Sequence, residues 1–553
     1  MAIIGKNVIE NLTLGMYENS LMIYREYIQN AADSIDNAIN LGILKEKQDT
    51  YTIKNSIDLD TKEKAQIDIY INQKERNISI YDNALGIPTD KFYNTLSSIA
   101  DSEKDKESNK GFRGIGRLAG LAYCKKLIFT SSYIGENKKS IMIWDGELLK
   151  NILNDTKNRI SASDLVDKVI DYKTEDCDIN EHFFEVTLND ISTENNELLN
   201  VKDVYDYLSF VAPVPYVNSF IYASKIKEFV KENNLKLDEY DILVNGKPLF
   251  KPYKTHLLTN NKTYDEIKDI EFRKIYSKDN TLLAWMWFAV IKFEKNIPIE
   301  NKMRSIRLRK ENIQIGNETT LSNFFKEPRG INYFIGEVMV IDKNLIPNAR
   351  RDYFNINETL REFENALTDI LKKKAHRLYY YSSNVRRLFK KQYDIKEKEN
   401  EFNLKIQQGN FLDKNDEINA KKELDKEKEN LSSITNSINN FENNYKENSL
   451  YNKVFNLIKE DFQKKYIELT ASEKSQQSAI KTDTISKNDN ENNTHTAQEK
   501  STKKKKYKTQ ELSKYNKREQ KLITRIYNKI RKVLPKDMAE DLINKIQEDL
   551  KSE

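Results

Sequence analysis

The sequence predicts an α+β fold, with two mixed α/β segments followed by a helical and highly charged C-terminal region. Three observations carry that expectation. Residues 65–71 (Ala-Gln-Ile-Asp-Ile-Tyr-Ile) and 78–81 (Ile-Ser-Ile-Tyr) alternate apolar with polar, as half-buried strands do. Leu21, Tyr24, Ile28 and Ile35 recur at helical spacing between these runs and the N-terminus. Beyond Glu362 the chain turns Lys-, Glu- and Asn-rich, and Leu424, Leu431, Ile434, Ile438, Phe441 and Tyr445 form a short seam of a/d type.

In chain order, residues 1–200 read as the first α/β domain and 201–362 as the second. The second has strand-like runs at 283–293 and 336–341 and helical patterning over 201–230. Residues 363–470 are expected to form a helical hairpin or coiled coil. Residues 471–502 are polar and almost free of large apolar side chains, which predicts a disordered linker. Residues 503–553 are expected to carry two amphipathic helices broken near Pro535, one with Leu522, Ile526, Ile530 and Val533, the other with Leu542, Ile546 and Leu550.

Composition excludes several classes. Of 553 residues, 32% are charged against a usual share of roughly 25%. Cys124 and Cys177 are the only cysteines, too few for a disulfide framework or a cysteine-rich zinc site. The longest apolar run, 282–291, is about half of a membrane span. A cytoplasmic location and no membrane partner are therefore expected. The net charge of +5 is unevenly spread: residues 500–536 hold 15 Lys and Arg against Glu511 and Glu519. Such a segment suits nucleic-acid phosphates, an acidic protein or an anionic surface, or serves only solubility.

Three motifs carry chemistry. On the first strong helix, which Ser20 is placed to cap and which runs to about Asn37, Glu26, Asn30, Asp33 and Asn37 gather opposite the apolar stripe. A solvated face would give the same pattern. The functional alternative has Glu26 polarising a water and Asn30 offering an oxygen to Mg²⁺. Next, residues 78–88 form a strand ending in Asp82 and a turn at Gly86, where the carboxylate can accept a hydrogen bond from the exocyclic amine of a base. Third, Lys110, Gly111, Phe112, Arg113, Gly114, Ile115 and Gly116 form a glycine-rich loop leading into an apolar helix over 118–124. Glycines before a helix N-terminus let backbone N–H groups approach a phosphate. Of the 15 glycines in the chain, five fall between Gly86 and Gly120.

In this order the three motifs resemble the GHKL ATPase superfamily of ninety-kilodalton heat-shock chaperones, MutL-type repair proteins, type II topoisomerases, MORC ATPases and sensor kinases. Residues 26–33 resemble its E-x-x-x-N-A-x-D helix, 82–86 its D-x-G-x-G turn, and 111–116 its lid glycines. The resemblance implies a Bergerat-type sandwich that takes ATP and Mg²⁺, followed by an S5-like second domain. It assigns Glu26 as general base, Asn30 as Mg²⁺ ligand, Asp82 as adenine contact, Gly86 as base-pocket turn and Lys110 to Gly116 as phosphate lid, with Asp33 among the nucleotide-contacting residues. A glutamate base implies hydrolysis rather than phosphotransfer to a histidine.

The sequence departs from the pattern twice: Ala84 replaces the first turn glycine, and Glu181-His182 stands where Gly-Thr is usual, with His182 expected to be structural. Residues 341–354, with Arg350 and Arg351, resemble the middle-domain loop that reaches the γ-phosphate; either arginine can be the sensor. Arg307, Arg309 and Lys310 read as a solvated basic face. A chaperone-like ATPase that closes as a homodimer on a protein client is the expected function. The alternative is a nucleic-acid-engaging clamp of the MutL or MORC sort, in a bacterial defence system.

Overall fold

The long helix bearing Glu26 lies against a sheet whose strands are β1 (Ile67–Asn72), β2 (Asn77–Asp82), β3 (Cys124–Ser132), β4 (Lys138–Asp145), β5 (Ile170–Asp176), β6 (Phe183–Ile191), β7 (Ile242–Val244) and β8 (Lys247–Pro248). A computed structural model describes residues 5–13, 19–45, 64–99, 116–155, 157–485 and 515–552. Strand order is β5-β4-β3-β6-β2-β1-β7-β8. Pairing is antiparallel except between β1 and β7, which run parallel with Ile67 opposite Ile242.

The strands alternate as their sequences predict: Ile78 and Ile80 of β2 and Val186 and Leu188 of β6 turn to one face and are buried. Helices pack on that face: α1 (Asn7–Thr13), α2 (Met22–Asn40), α3 (Thr89–Ser97), α4 (Gly146–Asn154), α5 (Ala162–Val169) and α6 (Val201–Val211). Ser20 does not cap α2, because its Oγ donates to Glu197 at 2.6 Å and Leu21 occupies the cap position. The glycine-rich loop leads into a 3-10 helix, Gly116–Ala122, rather than an α-helix.

The apolar cluster of the first sheet extends past residue 200, the border expected from the change of pattern. Val204, Leu208, Val214, Ile242, Val244 and Leu249 belong to the same apolar cluster as α2 and β1 to β6. Helix α6 and strands β7 and β8 are therefore part of the first layer, and the sequence between them is drawn back by the parallel pairing with β1.

After α7 (Ala223–Glu232) and a hairpin of β9 (His256–Thr259) and β10 (Lys262–Glu266), a second sheet follows. Its strands are β11 (Asp269–Tyr276), β12 (Leu282–Val290), β13 (Ser305–Lys310), β14 (Ile313–Ile315) and β15 (Ile335–Val340), in the order β11-β12-β15-β13-β14. Helix α8 (Glu358–Thr368) comes next in the chain.

Here the expectation of a solvated basic stretch is corrected: all six residues of β13 are buried. Arg309 Nε donates to Glu337 Oε1 at 2.6 Å, and Lys251 Nζ lies 3.1 Å from Glu337 Oε2, with all three side chains fully buried. Tyr216 and Tyr253 donate to the same carboxylate. β13 is covered on both faces, so its basic side chains lie inside the protein and need a partner there. Burial pushes the Glu337 carboxyl up, but Arg309, Lys251 and the Tyr216 hydrogen bond bring it down to about 2.

These two sheets belong to one compact unit of residues 1–291 and 295–377; residues 292–294 and 378–553 form another. The second unit is helical, with α9 (His376–Gln407), α10 (Lys414–Tyr445), α11 (Ser449–Ile485), α12 (Lys517–Val533) and α13 (Lys536–Ser552). Helices α9 and α10 run antiparallel, held in register by Lys398–Glu427 and Lys428–Glu399. Helix α11 runs parallel to α9, with Phe389 against Phe455 and Phe462. The heptad-like seam of α10 is used within this bundle: Leu424 and Ile438 are buried, and Phe441 and Tyr445 pack on Tyr381.

Helix α11 continues to Ile485, through the first part of the stretch expected as a linker; Ala, Glu, Lys and Gln there are good helix formers, so low apolar content did not mean absence of helix. The remainder of that stretch, 486–502, lies outside the described residues. Asn516 caps α12 in a capping box with Glu519.

Candidate active site

Helix α2 is buried on both faces. Tyr24, Ile28 and Ile35 contact the sheet side, as an amphipathic helix should, yet Arg25, Glu26, Gln29 and Asp33 are buried too. Glu26 is 9% exposed and Asp33 3%, which removes the reading of a solvated polar face. A carboxylate is taken from water only where charge or hydrogen bonding compensates, so its neighbours define the site. Asn30, one turn on from Glu26, is half-buried, and its side-chain amide makes no hydrogen bond among the described residues.

Glu26 Oε1 accepts a hydrogen bond from Arg25 Nη2 at 3.2 Å, and Arg351 Nε stands 3.9 Å from the same oxygen. Arg25 Nη2 also donates to the carbonyl of Arg350 at 3.1 Å. The loop carrying the two arginines is held by several backbone contacts. Pro347 and Phe354 form a bridge, Arg351 N donates to Asn348 O, and Gly316 N donates to Arg351 O at 2.8 Å. Arg351 has a φ of +54°, a left-handed conformation that costs energy for a side chain with a Cβ. Both arginines named from the sequence therefore reach α2, Arg351 through its side chain and Arg350 through its carbonyl.

On the other side of Glu26 stands Gly116. A Cβ there would sit 2.6 Å from Glu26 Oε2, so a side chain at 116 would push the Glu26 carboxylate aside. Tyr27, which sequence reasoning missed, fixes the segment after Gly116: its hydroxyl accepts from Gly120 N at 3.0 Å and donates to Arg117 O at 3.1 Å. Tyr207 on α6 is a second missed neighbour. Burial pushes its phenol up, Arg25 opposes and Glu26 adds to the rise. Lys110, Gly111, Phe112, Arg113, Gly114 and Ile115 lie outside the described residues.

The β2 turn closes the far end. Asp82 is 3% exposed, and its Oδ1 accepts from Ala84 N at 3.1 Å. Gly86 has a φ of +72°, and a Cβ on it would meet Ser132 O at 1.9 Å. Ala84 needs neither liberty: it is fully buried and is not among the residues of positive φ, so a methyl is accommodated where the first glycine was replaced. His182 Nδ1 lies 2.8 Å from Ala84 O and Ser131 Oγ accepts from Ile87 N at 2.7 Å, which together pin the turn. Among the described residues, no group of three or more His, Cys, Asp or Glu side chains is placed to hold a metal, and no helix is long and apolar enough to cross a membrane.

This arrangement, a buried helix whose Glu26 faces Gly116 beside an antiparallel sheet with a strand ending in an aspartate turn, fits a GHKL-type ATPase fold. Residues 50–175 match the family described as histidine kinase-, DNA gyrase B- and HSP90-like ATPase. That span includes Asp82, Gly86 and Gly116. The match supports a GHKL-type ATPase domain within this chain. The chain is similar to the chaperone protein HtpG of Wigglesworthia glossinidia brevipalpis, 23% identical over 376 residues that cover 63% of this chain and 49% of that protein. It is also similar to the chaperone protein HtpG of Buchnera aphidicola subsp. Baizongia pistaciae (strain Bp), 26% identical over 158 residues, or 26% of this chain and 23% of that protein. The chain thus spans about half the length of the first relative.

Proposed function

We propose that the chain is a Mg²⁺-dependent ATPase that couples ATP binding and hydrolysis to closure of a homodimer on a protein client. The carrying observation is that Glu26 is buried between Gly116 and Arg351, residues far apart in the chain that meet at one carboxylate. Glu26 is the general base: it takes a proton from water as the water oxygen attacks the γ-phosphorus and the bond to the β-phosphate oxygen breaks, releasing ADP. The side chain of Arg351, with Arg350 beside it, supplies positive charge to the transferring phosphoryl group.

Asp82 receives the exocyclic amine of adenine, with Gly86 shaping the turn. Asp33 and the loop from Lys110 to Gly116 contribute to the nucleotide cradle. Asn30 fits a hard cation, since its half-buried amide makes no hydrogen bond among the described residues. Mg²⁺ held there would supply charge neutralisation at the phosphates. The similarity to HtpG chaperones favours a protein client.

The test is Mg²⁺-ATP hydrolysis by the full chain and by Glu26→Gln, with nucleotide affinity by calorimetry and dimerisation by light scattering. Glu26→Gln is expected to bind ATP and lose turnover by about 10²- to 10⁴-fold. Turnover equal to wild type rules out the assigned base.

A second reading, a clamp on nucleic acid, draws on α12, which exposes Arg518, Arg525 and Lys529.

A further inference from the structure

The loop that carries Arg351, residues 341–354, is tied to one β-hairpin near both of its ends. β13 and β14 pair with Arg309 opposite Gln314 and Lys310 opposite Ile313, and Glu311 and Asn312, both of positive φ, make the turn between them. Lys310, beside that turn, stands opposite Val340, the last residue of β15. Its Nζ donates to the next two carbonyls, Ile341 O at 3.4 Å and Asp342 O at 2.7 Å, where the chain leaves the sheet and enters the loop. Directly after β14, at the other end of the hairpin, Gly316 N donates to Arg351 O at 2.8 Å.

Successive side chains of a strand point to opposite faces, so Arg309 turns to Glu337 while Lys310 turns away from that cluster. Lys310 is only 8% exposed, and its charge is met by main-chain carbonyls of the loop. Gly316 has a φ of +64°, and a Cβ on it would meet Asp352 O at 2.7 Å, so the loop backbone packs closely on the hairpin. Arg351 itself keeps a φ of +54°, a strained conformation that persists only where the surroundings over-determine it.

We propose that Lys310 is a positioning residue for Arg351: with Gly316 it seats the loop on the β13–β14 hairpin and so aims the Arg351 side chain at Glu26. This rests on the ATPase reading above and extends it to a buried lysine that acts through Arg351. A cation that must meet a transferring phosphoryl group works only when correctly placed, and a misplacement of about 1 Å from a distant change costs up to roughly 10²-fold in rate.

The experiment measures Mg²⁺-ATP turnover, ADP affinity by calorimetry and backbone amide exchange in the full chain, for wild type, Lys310→Met, Lys310→Arg, Arg351→Ala and the double variant of Lys310→Met with Arg351→Ala. Lys310→Met keeps the unbranched stem and removes the donors; kcat is expected to fall roughly tenfold or more, with KM for ATP and ADP affinity within about twofold of wild type. Lys310→Arg, which keeps the charge and N–H donors, is expected to recover most of that loss. In the Arg351→Ala background, Lys310→Met is expected to change kcat by less than about twofold, because the effect that runs through Arg351 is already gone. Exchange of the Arg351 and Gly316 amides, bonded to Asn348 O and Arg351 O, is expected to speed up in Lys310→Met. Turnover of Lys310→Met equal to wild type overturns the proposal, as does the same fractional loss with and without Arg351, which marks a lysine that only supports the fold. Unchanged amide exchange in Lys310→Met overturns the seating whether or not the chain turns over ATP. Wild type that hydrolyses no ATP fails at the earlier step and removes the ATPase reading itself.

Discussion

Glu26 and Arg351 divide the work of one contact between two parts of the chain, and their side chains, not their neighbours', are expected to carry it. Arg350 reaches α2 through its backbone carbonyl, which substitution leaves in place. Arg351→Ala is therefore expected to lower the ATP turnover rate at least tenfold with ADP affinity held, and Arg350→Ala much less; steady-state rates and calorimetry separate them. Gly116→Ala places a methyl 2.6 Å from Glu26 Oε2, so reduced turnover is expected there too, with the fold intact by circular dichroism.

At this scale much was legible in the sequence. The spacing of Glu26, Asn30 and Asp33 puts them on one helix face, and Asp82 and Gly86 end a recognisable strand. Tyr27 was not legible, because it owes its role to a 3-10 helix 90 residues away. Ser20 resembled a cap but is captured by Glu197, a competition that local sequence cannot display.

Among the elements, β13 and β15 hold the most consequential pair. Glu337 is brought from an ordinary 4.5 to about 2 in the folded protein. Its contribution to stability is thus complete above about pH 4.5 and is lost as the pH falls through about 2. Glu337→Gln is expected to flatten that acid limb in thermal melts. At neutral pH it should cost about 3–5 kcal/mol, because Arg309 and Lys251 would remain buried without the carboxylate.

In the helical unit, Phe389→Ala removes the ring that meets both Phe455 and Phe462 and is expected to cost about 3–5 kcal/mol in denaturant unfolding. Periodicity announced these helices and the strands of both sheets. It could not say that Arg307, Arg309 and Lys310 are buried, since what packs over the two faces of a strand is not written in that strand's own sequence.

Over the whole molecule, the two α/β segments were readable from composition and pattern, but their border was not. Composition changes little between residues 200 and 249; the pairing of β7 with β1 and the burial of Val204, Leu208 and Val214 in the first apolar cluster assign that stretch to the first core. The proposed client class is also tested at this scale. Removal of residues beyond 470 is expected to leave ATP hydrolysis measurable, and a protein-client ATPase should show no duplex-DNA binding at low salt in electrophoretic shifts. Salt-sensitive binding that disappears with the truncation would favour the nucleic-acid clamp.

The return of β7 to β1 also sets the order in which the chain becomes a protein during its synthesis. Strands β1 to β6 leave the ribosome first, yet until residues 242–248 emerge, β1 remains an open edge and part of the apolar cluster is uncovered. At about 5–20 residues per second, the interval from the end of β6 to the end of β8 lasts several seconds, long enough for an exposed edge to pair with a neighbouring nascent chain. A fragment cut at residue 200 freezes that interval permanently, whereas one carried past Leu249 completes it.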